Sequence, residues 1–268
     1  MQKAPAKRVY AMVRASGVLR RRRPPLHWKY AVSVRKRWHR LRRLWRPERD
    51  VEEVQYFGAR FQIAPNDVIG RELILRRFEW LQIPSILRAC RELKPAAFID
   101  VGANFGLYTC IIGRQKLAER LIAIDPNRWV LDRLLSNIAL NGLTGVEIHE
   151  TGVGAGRHTA TLLPGAPGAS ALSAIVPEHP EGYQIDVVPL DEMLSFFGKP
   201  LVVKIDVEGY ELEVLEGAKA LLTRNYGYAQ IESFEERRAG LVIKKMADFG
   251  WRLSDHIVDD LIFSKDAA

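Results

Sequence analysis

The segment Phe98-Ile99-Asp100-Val101-Gly102-Ala103-Asn104-Phe105-Gly106-Leu107-Tyr108 constrains this chain more than any other. A short apolar run ends on a carboxylate, passes through two glycines and enters what reads as a helix. That is a strand, a tight turn and a helix N-terminus. Glycines let backbone approach a ligand closely, because no Cβ stands in the way. The helix start offers free N–H groups and the positive end of its dipole to an anionic group. A nucleotide-like cofactor is the first expectation, although a glycine turn does not by itself say which one.

From Phe98 onward the apolar pattern alternates between strand-like and helix-like. Strands are expected at Phe98–Val101, Leu121–Ile124, Val146–His149, Leu201–Ile205 and Tyr228–Ser233. Helices are expected at about 105–116, from Asn127 through Asn141, at Leu190–Phe197, Glu211–Leu222 and Arg237–Phe249. Leu201–Ile205 is nearly all apolar apart from Lys204, as a strand covered on both faces should be. Two further strands, Trp251–Ser254 and His256–Ser264, close the chain as a hairpin. The fold class is therefore α/β, a doubly wound Rossmann-like sheet with an antiparallel C-terminal hairpin. A dinucleotide domain does not need that hairpin. Before it, residues 51–97 form a lead-in: a strand over Val54–Phe61, a turn at Pro65-Asn66-Asp67, and helices over 71–93 with Pro84 marking the second. Residues 151–190 break the rhythm. Two antiparallel strands around Arg157–Leu162 and Gln184–Val188 flank a Pro/Gly-rich loop, 164–182, which reads as a substrate lid or as a solvated connector.

Charge divides the chain. Residues 1–50 hold 17 Lys and Arg against two acids, Glu48 and Asp50, whereas residues 51–268 are mildly acidic. The net charge of +8 thus belongs to a leader. Within it Trp28, Ala31, Val34, Trp38, Leu41 and Trp45 share one helical stripe among Arg and Lys. Residues 28–46 suit an anionic membrane surface, a peripheral contact, or an acidic partner; loose packing on the body is the plain alternative. No recognition motif for nucleic acid accompanies the basic run. An acid-poor, Arg-rich N-terminus also fits organelle targeting, while the absence of an apolar h-region argues against secretion. No apolar run reaches 18 residues, so a cytoplasmic, membrane-peripheral protein is expected. Cys90 and Cys110 are expected to be free thiols. No His or Cys pattern has metal-ligand spacing, and no metal is expected. His149, His158 and His256 read as core or surface residues; His179, in the loop, could act as a base.

Ligands of an open parallel sheet bind beyond the carboxyl ends of its strands. Asp100, Asp125, Asp206 with Glu208, and Glu232 fall there. Asp125, 19 residues after Gly106, can accept hydrogen bonds from ribose hydroxyls. The glycine spacing is Gly-x-x-x-Gly, not the Gly-x-Gly-x-x-Gly suited to a pyrophosphate. Asp100 at the turn would repel a pyrophosphate and welcome an ammonium. A ligand with a ribose, an ammonium and a carboxylate fits better than NAD, and S-adenosylmethionine has all three. The plain alternative for each acid is a helix cap or a solvated turn.

Asp100–Gly106 resembles the first motif of class I S-adenosylmethionine-dependent methyltransferases. Lys204-Ile205-Asp206-Val207-Glu208-Gly209-Tyr210-Glu211, followed by Leu215-Glu216-Gly217-Ala218, is similar to the signature of the FkbM-like family, as are Asp67–Arg71 and Phe78-Glu79 upstream. The resemblance spans roughly residues 54–264 and leaves the leader aside. It implies a methyltransferase domain over 98–268 that acts on hydroxyls of glycans, glycolipids or natural products. It further implies that Asp100, Gly102, Asn104 and Gly106 hold the methionine end and Asp125 the ribose, with Asn137 and the Glu150–Gly152 segment as weaker cofactor contacts. Asp125-Pro126 departs from a commoner Glu-Pro, which keeps the ribose contact. For the acceptor, strand alternation puts Lys204, Asp206 and Glu208 on one side. Asp206 is the expected base, Glu208 the orienting group, and Lys204 the charge that keeps a carboxylate ionised. An ion pair that fastens the strand to the next helix is the plain alternative. Two other classes compete: a nicotinamide oxidoreductase, and a non-catalytic membrane- or nucleic-acid-binding protein.

Overall fold

A computed structural model describes residues 51–64, 68–165, 173–176 and 178–267. The basic leader with its tryptophan stripe, and the Pro65-Asn66-Asp67 turn, lie outside the described residues. The chain opens with a hairpin, β1 (Glu52–Tyr56) and β2 (Ala59–Ile63), then two helices, α1 (Val68–Ile74) and α2 (Gln82–Leu93). Next come β3 (Ala97–Val101), α3 (Leu107–Arg114), β4 (Arg120–Ile124), α4 (Arg128–Leu140) and β5 (Val146–His149). Four short strands follow: β6 (Gly152–Val153), β7 (His158–Leu163), β8 (Ala174–Val176) and β9 (Tyr183–Val188). The rest is α5 (Leu190–Met193), β10 (Pro200–Ile205), α6 (Glu211–Gly217), α7 (Lys219–Arg224), β11 (Tyr226–Glu232), α8 (Glu236–Asp248), β12 (Arg252–Ile257) and β13 (Asp260–Lys265).

The main sheet runs β12-β13-β11-β10-β3-β4-β5. Its five inner and β5-side strands are parallel, and the β12–β13 hairpin adds antiparallel pairs at the other edge. The chain winds outward from β3 to β5, then returns to start again at β10. The switch point therefore lies between β3 and β10. Alternation sends Ile99, Val101, Val203 and Ile205 into one core with α6, α7 and α8, and Phe98 and Val202 into the other with α2, α3 and α4. Burial on both faces explains why β10 is apolar on both sides of Lys204.

Four local outcomes differ from the sequence reading. The stretch Val54–Phe61 is not one strand: a two-residue turn at Phe57-Gly58, both with positive φ, splits it into β1 and β2. The loop 164–182 contains β8, which pairs with β7, so the two expected strands belong to a four-stranded sheet, β6-β9-β7-β8. Glu211–Leu222 is broken at Ala218 into α6 and α7. The break follows a close approach: a Cβ on Gly217 would stand 1.9 Å from the carbonyl oxygen of Gly154. At the C-terminus the turn falls at Val258-Asp259, not near Asp255.

Asn137, on α4, and Asn141, at its C-cap, dock the first hairpin. Asn137 Oδ1 accepts from Gln62 N at 2.7 Å and its Nδ2 donates to Phe105 O at 2.9 Å. Asn141 Oδ1 accepts from Arg60 N and its Nδ2 donates to Arg60 O. Asn137 is fully buried and does not line the site cavity described below, so the structure gives it a role in packing where a cofactor contact was expected. Replacing it by Ala strands two backbone groups, which typically costs about 1–3 kcal/mol for each unsatisfied buried group. Urea unfolding should show a loss in that range for Asn137→Ala, with S-adenosylhomocysteine binding by the folded fraction unchanged.

Candidate active site

A cleft with about 1280 Å³ of empty space, its open mouth included, lies over the carboxyl ends of β3, β4, β10 and β11. One half of its wall comes from the glycine turn. Gly102 has a φ of +83°, and a Cβ there would meet the Asp206 carbonyl oxygen at 1.8 Å. Asp206 N in turn donates to Val101 O at 2.9 Å. The first glycine of the motif is thus required where the end of β3 touches the end of β10. Asp125, just past β4, holds this turn with both carboxylate oxygens: Oδ2 accepts from Asn104 N at 2.7 Å, and Oδ1 from Asn127 N at 2.8 Å. Asp100 faces α3, where its Oδ2 accepts from Thr109 N and Oγ1. Burial raises both carboxyls to about 6, working against the Thr109 bonds and Lys204 at Asp100 and against the Asn127 and Asn104 bonds at Asp125. Thr151, Gly152 and Val153 continue the wall past β5.

The second sheet closes this half. Leu162, Ser173 and Ile175 line the cleft, and Asn127 Nδ2 donates to Ser173 Oγ at 2.7 Å. Tyr183 Oη contacts Asn127 Oδ1 at 3.1 Å and accepts from Arg128 N at 3.1 Å, so β9 is tied to the loop that carries Asp125.

The other half is acidic. Lys204, 1% exposed, places Nζ 2.9 Å from Asp260 Oδ1 and 3.4 Å from Asp206 Oδ2. Burial disfavours its charge, but Asp206, Asp260, Glu79 and Glu232 outweigh that and hold it firmly protonated. Asp206 is pushed up by burial and down by Lys204 and by hydrogen bonds from Glu232 and Lys204; the net direction is below the usual carboxylate range. Carboxylate oxygens of Glu79, Asp206 and Glu232 lie within 4.8 Å of one another. They come from three separate segments, at a spacing where acids compete for protons and could also hold a metal ion. Burial and the facing Asp206 raise Glu232 to about 11, and burial with Asp260 and Asp206 raises Glu79 to about 8. Behind them runs a buried relay: Tyr108 Oη donates to Glu79 Oε2 at 2.6 Å, Gln230 Nε2 donates to Tyr108 Oη, and Tyr228 Oη donates to Gln230 Oε1. Glu208 lines the cleft from a left-handed turn with φ +50°, and burial, Asp206 and Glu211 raise it to about 7 against Lys204.

Of the residues singled out in the sequence, Asp100, Gly102, Asn104, Asp125, Gly152, Lys204, Asp206 and Glu208 all line one cleft. Gly106 and Asn137 do not: Gly106 starts α3 with φ +84° and faces Leu134. His149, His158, His179 and His256 are absent from the lining as well. Sequence reasoning missed Glu79 as a site residue, Asp260 and the aromatic wall of Phe78, Tyr210 and Phe234, because nothing local marks a side chain that only the topology brings to the cleft.

A family model for the methyltransferase FkbM domain matches residues 100–253. The chain belongs to that family. Among curated relatives, it is 29% identical over 186 residues to hexuronic acid methyltransferase AglP of Haloferax volcanii, covering 68% of this chain and 74% of AglP. It is 26% identical over 167 residues to Methyltransferase 1 of Beauveria bassiana, covering 52% of this chain and 66% of the relative, just under two thirds of that protein's length. A solved FkbM methyltransferase from Methylobacillus flagellatus aligns at 20% identity and TM-score 0.47, over 64% of this chain and 44% of that one.

FkbM membership sets aside the nicotinamide reading and implies S-adenosylmethionine. The residues fit that cofactor on their own chemistry. Asn104 Oδ1 is buried without a hydrogen-bond partner at the wall of the cleft, and Asp100 and Asp125 supply carboxylates for an ammonium and a ribose. No helix among the described residues is long and apolar enough to cross a membrane.

Lys204 can be tested apart from ligands. Lys204→Met leaves buried Asp260 and half-buried Asp206 with no countercharge, and breaking a buried pair such as Lys204–Asp260 typically costs about 3–5 kcal/mol. Without Lys204 those carboxyls rise above their unfolded values, so they add stability at low pH and lose it as pH climbs. Unfolding curves should therefore show the deficit of the variant growing between pH 4 and pH 7.

Proposed function

We propose that the protein is an S-adenosylmethionine-dependent O-methyltransferase whose acceptor is a hydroxyl of a glycan, glycolipid or natural product. The observation that carries this reading is the division of one cleft at the switch point. The half over β3, β4 and β5 has the turn, the orphaned Asn104 oxygen and two carboxylates suited to an aminoacyl nucleoside. The half over β10 and β11 has carboxyls and aromatic rings but no side-chain nucleophile. A hydroxylated acceptor is supported by the distant likeness to AglP, which by its name methylates a hexuronic acid. It also agrees with the chemistry of carboxylates, which accept hydrogen bonds from hydroxyls.

Asp100, Gly102, Asn104 and Asp125, with Gly152 at the far wall, would hold the cofactor. Bound there, S-adenosylmethionine supplies a methyl group already activated on a sulfonium. The protein's own task is then to hold an acceptor oxygen and remove its proton. Asp206 was expected to take that proton. Its carboxylate is committed to Lys204 and Glu232, and a lowered value makes it a poor base. Glu208 makes no hydrogen bond or ion pair among the described residues and is raised to about 7, where a general base works best. We therefore exchange the two roles: Asp206, kept ionised by Lys204, orients the hydroxyl, and Glu208 accepts its proton.

S-adenosylhomocysteine should raise the melting temperature of the wild type, and NADH should not. A ligand that binds only the folded state adds about 2.7 kcal/mol at a hundredfold its Kd. Asp125→Ala should lose the shift. A folded wild type that responds to NADH alone overturns the proposal. S-adenosylhomocysteine affinity should also fall as pH drops below about 6, because Asp100 and Asp125 then gain protons. In methyl transfer to a hydroxylated glycoside, Glu208→Gln should lower kcat by about 10²–10⁴, and wild-type kcat should rise with pH through about 7 as Glu208 ionises. Unchanged S-adenosylhomocysteine binding by the variant would separate this loss from misfolding.

A further inference from the structure

Carboxyls dominate the acceptor half of the cleft. Glu79, Asp206, Glu208 and Glu232 line it, and Lys204 is the one basic residue in the lining among the described residues. The Lys204 ammonium is unavailable to a ligand: it is 1% exposed and engaged by Asp260 and Asp206. Arg238, the nearest guanidinium to the Glu208-Gly209 turn, is outside the lining and pairs with Glu211 at 3.5 Å and Glu213 at 3.9 Å. Recognition of a carboxylate or phosphate calls for an Arg fork or a Lys ammonium. Neither is offered. Glu79 and Glu232 retain protons more readily than ordinary acids, which lets them donate to hydroxyls or accept from them, yet a protonated acid is still no cation. Phe234 adds a second, independent feature. It lines the cleft next to Glu232 and is 59% exposed, so a large flat apolar face stands open beside the hydrogen-bonding groups. An aromatic face next to carboxyls suits a ring with one apolar side and a rim of hydroxyls.

We infer that the cleft takes an uncharged or ammonium-bearing hydroxylated ring and excludes an anionic one such as a uronic acid, with Glu208 as the residue that sets this preference. The inference rests on the O-methyltransferase reading and narrows its acceptor class. It also implies that the acceptor of a relative methylating a hexuronic acid does not transfer to this chain along with the fold.

The test compares phenyl glucoside, phenyl glucosaminide and phenyl glucuronide, which share one aglycone and differ in charge. Binding to the S-adenosylhomocysteine-saturated protein is measured by calorimetry in EDTA, so that no divalent cation bridges the acids, and methyl transfer is followed in parallel from labelled S-adenosylmethionine. The glucoside and glucosaminide are expected to bind at least tenfold more tightly than the glucuronide. Glu208→Gln is expected to shrink that ratio to about threefold or less, while the S-adenosylhomocysteine Kd stays within twofold of wild type. A glucuronide that binds as well as the glucoside overturns the charge inference and leaves the O-methyltransferase reading standing. So does a ratio untouched by Glu208→Gln. If S-adenosylhomocysteine binds and no glycoside does, the glycan acceptor itself fails and the inference goes with it.

Discussion

Lys204 carries its ammonium into the middle of a covered sheet, where Asp260 meets it at 2.9 Å and Asp206 at 3.4 Å. A charge so placed is costly unless it is paired, and equally each acid needs it. Asp260 opens β13 and lies opposite Glu232 in the β11–β13 ladder. The C-terminal hairpin is thus more than an edge to the sheet: it delivers the counter-ion for Lys204. Remove Lys204 and Glu79, Asp206, Glu232 and Asp260 are left as four neighbouring acids without a cation, which would have to take up protons or move apart. The ionisation of Asp206 follows from Lys204 on its own strand and from Glu232 at the end of β11.

The same ammonium makes the difference between the two carboxylates of the signature segment. Asp206 ends β10 within reach of Lys204, and Glu208 stands two residues on, past the strand, in a left-handed turn. Lys204 and the hydrogen bond from Glu232 draw one below its usual range, while burial, Asp206 and Glu211 push the other above it. Two carboxyls held at different values can divide an acid–base task, which two equivalent ones cannot.

The main sheet was legible because its signals are local. Apolar runs, the glycine turn and the Asn127 cap of α4 each act within a few residues, and the strands β3, β4, β5, β10 and β11 stand within two residues of where the pattern puts them. The convergence of Asp100, Gly102, Asn104 and Asp125 on one cleft was legible for the same reason, since they sit on adjacent strand ends that the winding rule brings together. Small turns were not. Phe57-Gly58 lacks the Asn-Gly or Asp-Gly signal of a two-residue hairpin, so an alternating run read straight through it. Asn137 was misassigned because a buried amide and a cofactor contact use the same residue type; only the partners, Gln62 N and Phe105 O, separate them.

The acceptor half was the least legible, for a reason that lies in its chemistry. A metal site or a nucleophilic triad needs particular residue types, so its composition leaves a trace. A site for a hydroxyl needs only acids and an apolar face, which every chain has in abundance. Glu79 precedes the sheet, Glu232 ends β11 and Asp260 opens β13, more than 150 residues apart in total span and without a shared pattern. What singles them out is convergence on one buried lysine at the wall of the cleft. The leftover charge, not any motif, is then the informative quantity. Where acids outnumber reachable cations at the mouth of a methyl-transfer cleft, the ligand brings either no charge or a positive one, and substrate class follows from electrostatics where sequence similarity transfers only the fold and the cofactor.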